Sequence, residues 1–233
     1  MRRIAFTVLT FATVFGAVPL SGQDSRPGIA VLPFENGGSY GQDKEDFTAL
    51  ERGIAGMMIS ELSRNPGARL VDRSQTQRIL DEQDLAKDGR VDAATAATIG
   101  KLVGARYMLM GNFIDFYGKF RIDARIVDVE TGEIIKVVSN DPKYSKRDDM
   151  FKMIQGVAID VMADVKLPAL PKEVAAASQR YAVPTEALTY YSRALLYSDR
   201  GDKQKAIEYY NRALQVFPEY AEAKEGLQRV QRS

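Results

Sequence analysis

Apolar and polar residues follow two different periods near the start of the chain, and the change predicts a strand followed by a helix. Residues 28–34 form a compact apolar run before a polar, glycine-rich loop, which is typical of a buried strand. From Asp46, apolar residues recur every three or four positions until the stop at residues 65–67, so one face of a helix is apolar. Gly53 and Gly56 each cost this helix about 1 kcal/mol relative to alanine. Either close packing against a sheet or neutral drift accounts for them.

The same two periods repeat in the next segment. A second short strand is predicted at residues 68–72, and Ser74 is the expected N-cap of a helix that runs to residue 85. Asp92 is then the expected cap of an alanine-rich helix that ends at Gly104. Strands that alternate with helices are the pattern of parallel crossover units.

Three consecutive strands are predicted after these crossovers, at residues 107–116, 120–129 and 133–138. Turns of two or three residues cannot make a parallel crossover, so these strands run antiparallel. Gly118 and Gly132 stand where such turns need positive φ. The predicted fold class is therefore α/β, with a mixed sheet covered by helices.

The pattern becomes wholly helical toward the end of the chain. A last helix of the α/β domain is expected at residues 148–165, which assigns residues 23–166 to that domain. Prolines then mark residues 167–184 as a linker, with a helical stretch at residues 172–180. Residues 185–233 are predicted to form a small all-α module.

The first residues predict export. Residues 1–22 combine a basic start, an uncharged apolar run at 4–18 and a small-residue exit, which is the order of a signal peptide cleaved near Gly22. The alternative is an uncleaved anchor, although the run is short for a membrane span of about 20 residues. The chain has no cysteine, so it lacks the residue that a bacterial lipoprotein acylates. We expect a periplasmic protein that is not a lipoprotein, with outer-membrane association left open and any membrane contact peripheral at most.

Charge and residue chemistry argue against several function classes. With 32 basic and 31 acidic residues there is no net field to attract nucleic acid, so none is expected as a partner. Without histidine or cysteine, the usual general base, zinc ligands and thiol nucleophile are absent. The acidic residues Asp81, Glu82 and Asp84 are interpreted as a solvated helix face or as partners of Arg73 and Arg78. The protein is predicted not to be an enzyme, and no catalytic residue, metal or cofactor is expected.

Residues 187–220 resemble a tetratricopeptide repeat, a helical hairpin of about 34 residues. Gly201 is placed at the turn, and Arg193 departs from the pattern because an apolar residue is usual there. The positions that match are large at Tyr190 and Tyr197, small at Ala194, Ala206 and Ala213, aromatic at Tyr210, and proline at Pro218.

One repeat and the first helix of another cannot bury their own faces, because roughly three repeats are normally needed for independent stability. The module is expected to pack on the α/β domain, the linker helix, a second copy or a partner. The candidate partner-binding residues on the concave side of its first helix are Leu188, Tyr191, Leu195 and Ser198. Exposed Tyr191 and Leu195 would offer rigid apolar area to an envelope protein or peptide. The alternative is that they pack on the α/β domain.

Residues 28 to about 165 resemble the curli secretion channel family, CsgG, and its periplasmic relatives of the activator and TolB N-terminal types. The stretches that carry the resemblance occur in the order of the family. They are "GIAVLPFEN", "LERGIAGMMISELSR", "LVDRSQTQRILDEQDL", "IGKLVGARYMLMGNF" and "RIVDVETGEII".

The curli channel extrudes two long hairpins that assemble in the membrane, and the resemblance raises the question of whether they are present here. Residues 107–116 and 120–129 supply only the length of one ordinary soluble hairpin, since a membrane strand needs about 9 to 11 residues of its own. The second region, residues 139–149, is polar and contains Pro142. Both membrane hairpins are therefore predicted to be missing.

The resulting hypothesis is a non-enzymatic periplasmic adaptor or assembly protein that binds an envelope protein through its helical repeat. Two alternatives remain open: a secretion or assembly pore subunit of the curli-transport type, and an activator of a cell-wall synthase. A homo-oligomer is compatible with each of them.

Overall fold

The computed structural model describes residues 24–39, 44–82, 91–140 and 144–232. The predicted signal peptide and the end of the helix near residue 85 lie outside these residues. The strands are β1 (Gly28–Val31), β2 (Glu35–Asn36), β3 (Arg69–Leu70), β4 (Tyr107–Phe116), β5 (Lys119–Asp128), β6 (Ile134–Ser139) and β7 (Ser145–Lys146). The helices are α1 (Lys44–Ser63), α2 (Arg73–Glu82), α3 (Ala93–Val103), α4 (Met150–Asp164), α5 (Lys172–Arg180), α6 (Thr185–Asp199), α7 (Lys203–Val216) and α8 (Ala221–Arg232).

The strands form one mixed sheet in the order β3-β1-β4-β5-β6. β1 pairs parallel with both β3 and β4, whereas β4, β5 and β6 pair antiparallel. The predicted mixed α/β class is confirmed. Two short strands were not predicted: β2 runs parallel to β4, and β7 pairs antiparallel with β5. Each has only two residues, too few to show a periodic pattern.

The β4–β5 hairpin turns at Tyr117 and Gly118, which have φ values of 51° and 82°. Positive φ at two successive residues is the requirement of a tight hairpin turn, and glycine meets it without strain. The side chain of Asp115 holds the turn by accepting a 2.7 Å hydrogen bond from the Gly118 backbone N–H. All ten residues of each strand pair with the other, so this hairpin belongs to the sheet over its whole length. Residues 139–149 are the region where the second membrane hairpin is predicted to be missing, and residues 141–143 of that region lie outside the described residues.

Helix caps follow the sequence in one case and differ in another. Asp92 caps α3 by accepting a 2.7 Å bond from the Thr95 N–H, and Gly104 ends that helix with φ of 67°, as predicted. The predicted N-cap at Ser74 is wrong. Asp72 accepts the Ser74 N–H at 2.7 Å and is the N-cap, so α2 starts at Arg73, two residues before the start that a cap at Ser74 implies. The side chain of an N-cap residue accepts a hydrogen bond from the N–H of the second or third residue of the helix. Ser74 is the second residue of α2, so its N–H bonds to the carboxylate of Asp72.

Helices cover both faces of the sheet. α1 and α4 pack on one face, where Phe113 and Phe120 stack with ring centroids 5.5 Å apart. α2 and α3 cover the other face over a smaller core that includes Leu32 and Met108. The core on the α1 side does not end at α1. It continues into the helical repeat, which places the repeat on the outer surface of that helix.

Candidate functional site

The first helix of the repeat, α6, lies directly on α1, and two glycines permit the contact. A β-carbon at Gly53 would stand 1.7 Å from Ser192 Oγ, and one at Gly56 would stand 2.9 Å from the Tyr191 hydroxyl. Such distances exclude any larger residue at Gly53 without movement of α6. Close approach therefore explains Gly53 and Gly56, but the neighbour is the repeat and not the sheet that the sequence suggested.

The four predicted partner-binding residues lie along this contact. Leu188 is fully buried, and Tyr191 and Leu195 are only 6% and 5% exposed, whereas Ser198 is half-buried. The expected exposure of Tyr191 and Leu195 is wrong, because α1 covers the concave face of the repeat. The structure shows the alternative, in which the repeat packs on the α/β domain of its own chain. A partner-binding role for the four residues stays a prediction.

A shared carboxylate at the end of α6 joins the repeat to two arginines of the α/β domain. Asp199 accepts a bidentate pair of bonds from Arg73, at 2.7 and 2.9 Å, and a further bond of 3.0 Å from Arg52. Burial disfavours the charged form of Arg73, but the bonds to Asp199 outweigh burial and raise the pKa of Arg73 overall. For the acidic cluster, the sequence predicts a solvated face or pairing with Arg73 and Arg78. Pairing with Arg73 is wrong, since its partner lies in the repeat, whereas Arg78 lies 3.7 Å from Glu82 with both side chains exposed. Asp84 lies outside the described residues.

The departure of Arg193 from the repeat pattern also has a structural reason. Its guanidinium donates to the carboxylate of Asp46 at the start of α1 and bonds to the Tyr209 hydroxyl at 3.2 Å. Tyr197 donates to Glu45, which precedes Asp46 in the same first turn of α1. An apolar residue at position 193 could not make this ionic link, so the repeat gives up a usual packing position to fix itself on α1.

Helix α8 completes the docked module through an aromatic cluster. Tyr220 is fully buried, and its ring centroid lies 5.1 Å from that of Tyr191. Tyr181, which follows α5, donates a 3.0 Å hydrogen bond to Glu222 of α8, and Ser60 of α1 donates to the same carboxylate. The linker, the repeat and α1 therefore meet at one point.

A groove remains open between these elements, and we call it the interdomain groove. It has a volume of about 470 Å³ and lies between the second half of α1, the β3–α2 connection and helices α6 and α8. A second cavity of about 270 Å³ shares Arg73, Leu195, Tyr210 and Arg229 with it, so the two are neighbours. The α/β domain contributes charged side chains from Arg64, Asp72 and Arg73, and the repeat contributes Glu222, Glu225 and Arg229.

The floor of the interdomain groove is apolar and aromatic. Tyr191, Leu195 and Tyr210 lie on its repeat side, and burial raises the pKa of Tyr210 to about 12. Burial raises the pKa of Tyr191 further, so both phenols are neutral at physiological pH. A neutral phenol can both donate and accept a hydrogen bond.

The structure brings two of the predicted residues to this groove, because Tyr191 and Leu195 line it. Ser198 lines the neighbouring cavity, and Leu188 lines neither. The sequence did not single out Arg64, Arg73 or Arg229 as groove residues. One signal was available for Arg229. Glu222, Glu225 and Arg229 follow the same three- and four-residue spacing on α8 that selected the candidate residues on α6.

A smaller cavity of about 130 Å³ lies just past the end of β1 and beside the first half of β4, next to Phe34, Glu35, Glu51 and Arg52. Burial raises the pKa of Glu51 against the opposing charge of Arg52. This volume is below that of usual small-molecule sites, which start at about 300 Å³. The interdomain groove is therefore the stronger candidate.

Residues 24–39, 44–82, 91–140 and 144–232 contain no group of acidic side chains arranged to hold a metal ion. No helix within those ranges has both the length and the apolar character needed to cross a membrane.

Two family models match separate parts of the chain. Residues 10–121 match the model described as curli production assembly/transport component CsgG, and residues 187–220 match the tetratricopeptide repeat. The first match contains four of the five stretches that carry the resemblance. The fifth, "RIVDVETGEII", lies beyond its end. No curated protein matches the chain.

Several solved structures are similar in part. The C-terminal domain of LpoB from Escherichia coli is 21% identical with a TM-score of 0.35, and the similarity covers 51% of this chain and 83% of that one. TolB from Acinetobacter baumannii is 17% identical with a TM-score of 0.37, covering 63% of this chain and 30% of that one. Lipoprotein GNA1162 from Neisseria meningitidis is 15% identical with a TM-score of 0.39, covering 59% and 99%. At TM-scores this low, the likeness carries no functional information.

The suggestion made from the sequence is confirmed at the level of the family models and the fold class. The chain joins a mixed α/β region matched by the CsgG family to one tetratricopeptide repeat that is docked on it.

Proposed function

We propose that this protein is a periplasmic adaptor without enzymatic activity, and that its interdomain groove binds a segment of an envelope protein. The observation that carries the proposal is a groove with walls from both modules and charged side chains of both signs. Tetratricopeptide repeats use concave surfaces for binding, and here α1 fills part of that surface. The family matched by residues 10–121 is described by assembly and transport, and both imply contact with other proteins.

The size and chemistry of the groove favour a short peptide segment. A volume of about 470 Å³ is within the range of sites that enclose a few side chains. Tyr191, Leu195 and Tyr210 offer an apolar floor for an anchoring residue. Arg229 and Glu225 are exposed at the rim, so they are available for charged groups that flank the anchor.

The test reverses a rim charge and compares it with the same change elsewhere on the same helix. A photoactivatable crosslinking residue at Glu225 captures the bound segment in cells, and mass spectrometry identifies it. The Arg229→Glu variant is expected to reduce capture about tenfold, because a charge-assisted hydrogen bond contributes about 1.5–3 kcal/mol. Lys224→Glu is the matched control, since Lys224 is exposed on α8 and does not line the groove.

Equal capture by the two charge-reversal variants would contradict the proposal, as would crosslinks that reach only residues of the same chain. Circular dichroism of both variants excludes unfolding as the cause of any loss. Truncation at residue 185 is a poor test, because α6 covers the apolar face of α1 and its removal would expose that core.

A role as a subunit of a curli-type transport assembly is the second candidate, and the description of the matched family favours it. The two proposals predict different fractionation. The adaptor leaves the cell with the periplasmic extract, whereas a subunit embedded in the outer membrane resists alkaline washing.

A further inference from the structure

Two tyrosine hydroxyls on the floor of the interdomain groove have no hydrogen-bond partner among the described residues. They belong to Tyr191 and Tyr210, whose ring centroids lie 6.2 Å apart and which are only 6% and 2% exposed. Both residues line the groove. A hydroxyl that has left bulk water without gaining a protein partner costs free energy, and a ligand that bonds to it removes that cost.

Each of these hydroxyls lies beside a glycine that also lines the groove. A β-carbon at Gly56 would stand 2.9 Å from the Tyr191 hydroxyl, and one at Gly226 would stand 2.6 Å from the Tyr210 hydroxyl. A larger residue at either position would displace the phenol. The two glycines therefore give the polar ends of both tyrosines room at the surface of the groove.

Two arginines place further donors near the Tyr210 hydroxyl. Arg73, Tyr210 and Arg229 line both the interdomain groove and the neighbouring cavity, and we call the region that they share the groove junction. Asp199 accepts from the two terminal nitrogens of Arg73, and no hydrogen bond within the described residues uses its Nε–H. Arg229 makes no ion pair in the part of the chain that the structure describes. Burial raises the pKa of Tyr210, whereas the positive charges of Arg73 and Arg229 lower it, so both charges act at its hydroxyl.

The acidic side chains of the groove are already hydrogen-bonded elsewhere. Glu222 accepts from the hydroxyls of Ser60 and Tyr181. Asp72 accepts from the backbone N–H and the hydroxyl of Ser74. Within the described residues, the groove junction therefore offers donors and positive charge without matching acceptors, and a negatively charged acceptor is the group that fits.

We propose that the groove junction binds the C-terminal carboxylate of a peptide that ends in an apolar residue. The inference rests on the proposed function, because it names the part of the bound segment that the groove holds. The phenol of Tyr210 and the guanidiniums of Arg73 and Arg229 donate to the carboxylate, with the strength of charge-assisted hydrogen bonds. Leu195, which lines the same region, contacts the apolar side chain.

Two observations favour a chain end over an acidic side chain or a phosphate. A C-terminal apolar residue carries its carboxylate and its apolar side chain on one α-carbon, and the groove junction presents Leu195 beside the donors. Asp199 already neutralises much of the charge of Arg73. The remaining positive charge suits a carboxylate better than a phosphate group, whose charge is about −1.5 to −2 at pH 7.

Nuclear magnetic resonance titration of the purified protein with three small probes tests the assignment. N-acetyl-leucine carries the proposed chain end, N-acetyl-leucinamide replaces its carboxylate with a neutral amide, and N-acetyl-glutamic acid α-amide carries the carboxylate on a side chain. With about 12 non-hydrogen atoms, N-acetyl-leucine is expected to have a dissociation constant of about 1 mM. The other two should bind at least about tenfold more weakly, because one lacks the charge and the other lacks the apolar side chain.

Removal of a single hydroxyl shows whether the phenol takes part. Tyr210→Phe is expected to weaken binding of N-acetyl-leucine about tenfold and to affect N-acetyl-leucinamide by a smaller factor. Tyr190→Phe is the matched control, since Tyr190 lies on α6 but lines neither the groove nor the neighbouring cavity. Because the Tyr210 hydroxyl has no partner among the described residues, Tyr210→Phe should leave the urea midpoint unchanged or raise it.

Several results would overturn the inference. They are undetectable binding of N-acetyl-leucine, equal affinity for N-acetyl-leucinamide, tighter binding of the side-chain carboxylate, and a lower urea midpoint for Tyr210→Phe. Capture of an internal segment by the crosslinker at Glu225 would contradict the chain end and leave the proposed function standing. Absence of capture, together with the expected probe affinities, would contradict the proposed function and leave the carboxylate assignment standing.

Discussion

Helix α6 and strand β6 each present a strip of apolar side chains, and the chain treats them differently. Leu188, Tyr191 and Leu195 on α6 are buried against α1. Ile134 and Val137 on β6 are about half exposed, although they are no less apolar. Hydrophobic character alone therefore does not decide which surface of this molecule is buried by its own chain.

Complementary shape and fixed charges make the difference. Opposite α6, Gly53 and Gly56 remove side chains from α1, so the two helices come into contact. Around that contact, Asp199 binds Arg52 and Arg73. No described element lies beyond β6 in the sheet order. An apolar strip is buried within this molecule only where another element of the same chain has a complementary shape and complementary charges.

The largest expected effect comes from truncating one residue of each strip. Leu188→Ala is expected to lower the free energy of unfolding by about 3 kcal/mol, because it leaves a cavity in a filled core. Val137→Ala, measured at low protein concentration, should change it by less than about 0.5 kcal/mol. Urea denaturation of both variants checks this, and similar losses would show that the two strips do not differ.

A matched pair of glycines tests shape complementarity with a smaller effect. Gly53→Ala is expected to destabilise by about 1–2 kcal/mol, since the new β-carbon would meet Ser192. Gly156→Ala on α4 meets no atom within 4 Å and should stabilise by up to about 1 kcal/mol. Thermal unfolding measures both changes: the midpoint should fall for Gly53→Ala and rise for Gly156→Ala. Adding Ser192→Gly to the first variant should restore part of the loss, and a failure to do so would implicate another contact.

The smallest expected effect is a pH dependence of the free energy of unfolding, which arises at Glu61 of α1. Burial raises the pKa of Glu61 above the ordinary value of 4.5, against the opposing charge of Arg64. As pH falls from neutral, folded Glu61 takes up a proton before the unfolded chain does, so its contribution to stability grows. Glu61→Gln should therefore be more stable than the original at pH 7 and lose that advantage near pH 4.5.

Urea midpoints at the two pH values measure this effect, and exposed Glu173→Gln is the control. An advantage of Glu61→Gln that is independent of pH would mean that charge burial is not its cause.

Local sequence signals predicted most elements of the α/β region. The helical period from Asp46 to Leu62 matches the buried face of α1, and Gly118 and Gly132 have the positive φ that their turns require. The N-cap of α2 was misplaced because Asp72 and Ser74 both carry oxygen acceptors, and only the geometry of the turn selects between them. Short strands such as β2 were missed because their pairing depends on a neighbour distant in sequence.

The candidate site was only partly predictable. The repeat spacing selected Tyr191 and Leu195, which line the interdomain groove, and Ser198, which lines the neighbouring cavity. Arg64 and Arg73 line the opposite wall of the groove. No pattern in the nearby sequence marks them as groove residues, because they line a groove only when the repeat is docked on the α/β domain. The domain boundaries proposed at residues 23–166 and 185–233 stay predictions.

By itself, the sequence determined which residues are apolar, how they recur and where the chain must turn, because these properties depend on a few neighbouring residues. Only the tertiary structure decided that α1 occupies the concave face of the repeat, that Arg73 pairs with Asp199, and that β6 lies at the end of the sheet among the described strands. These outcomes depend on which surfaces meet, and residues more than a hundred positions apart determine that together.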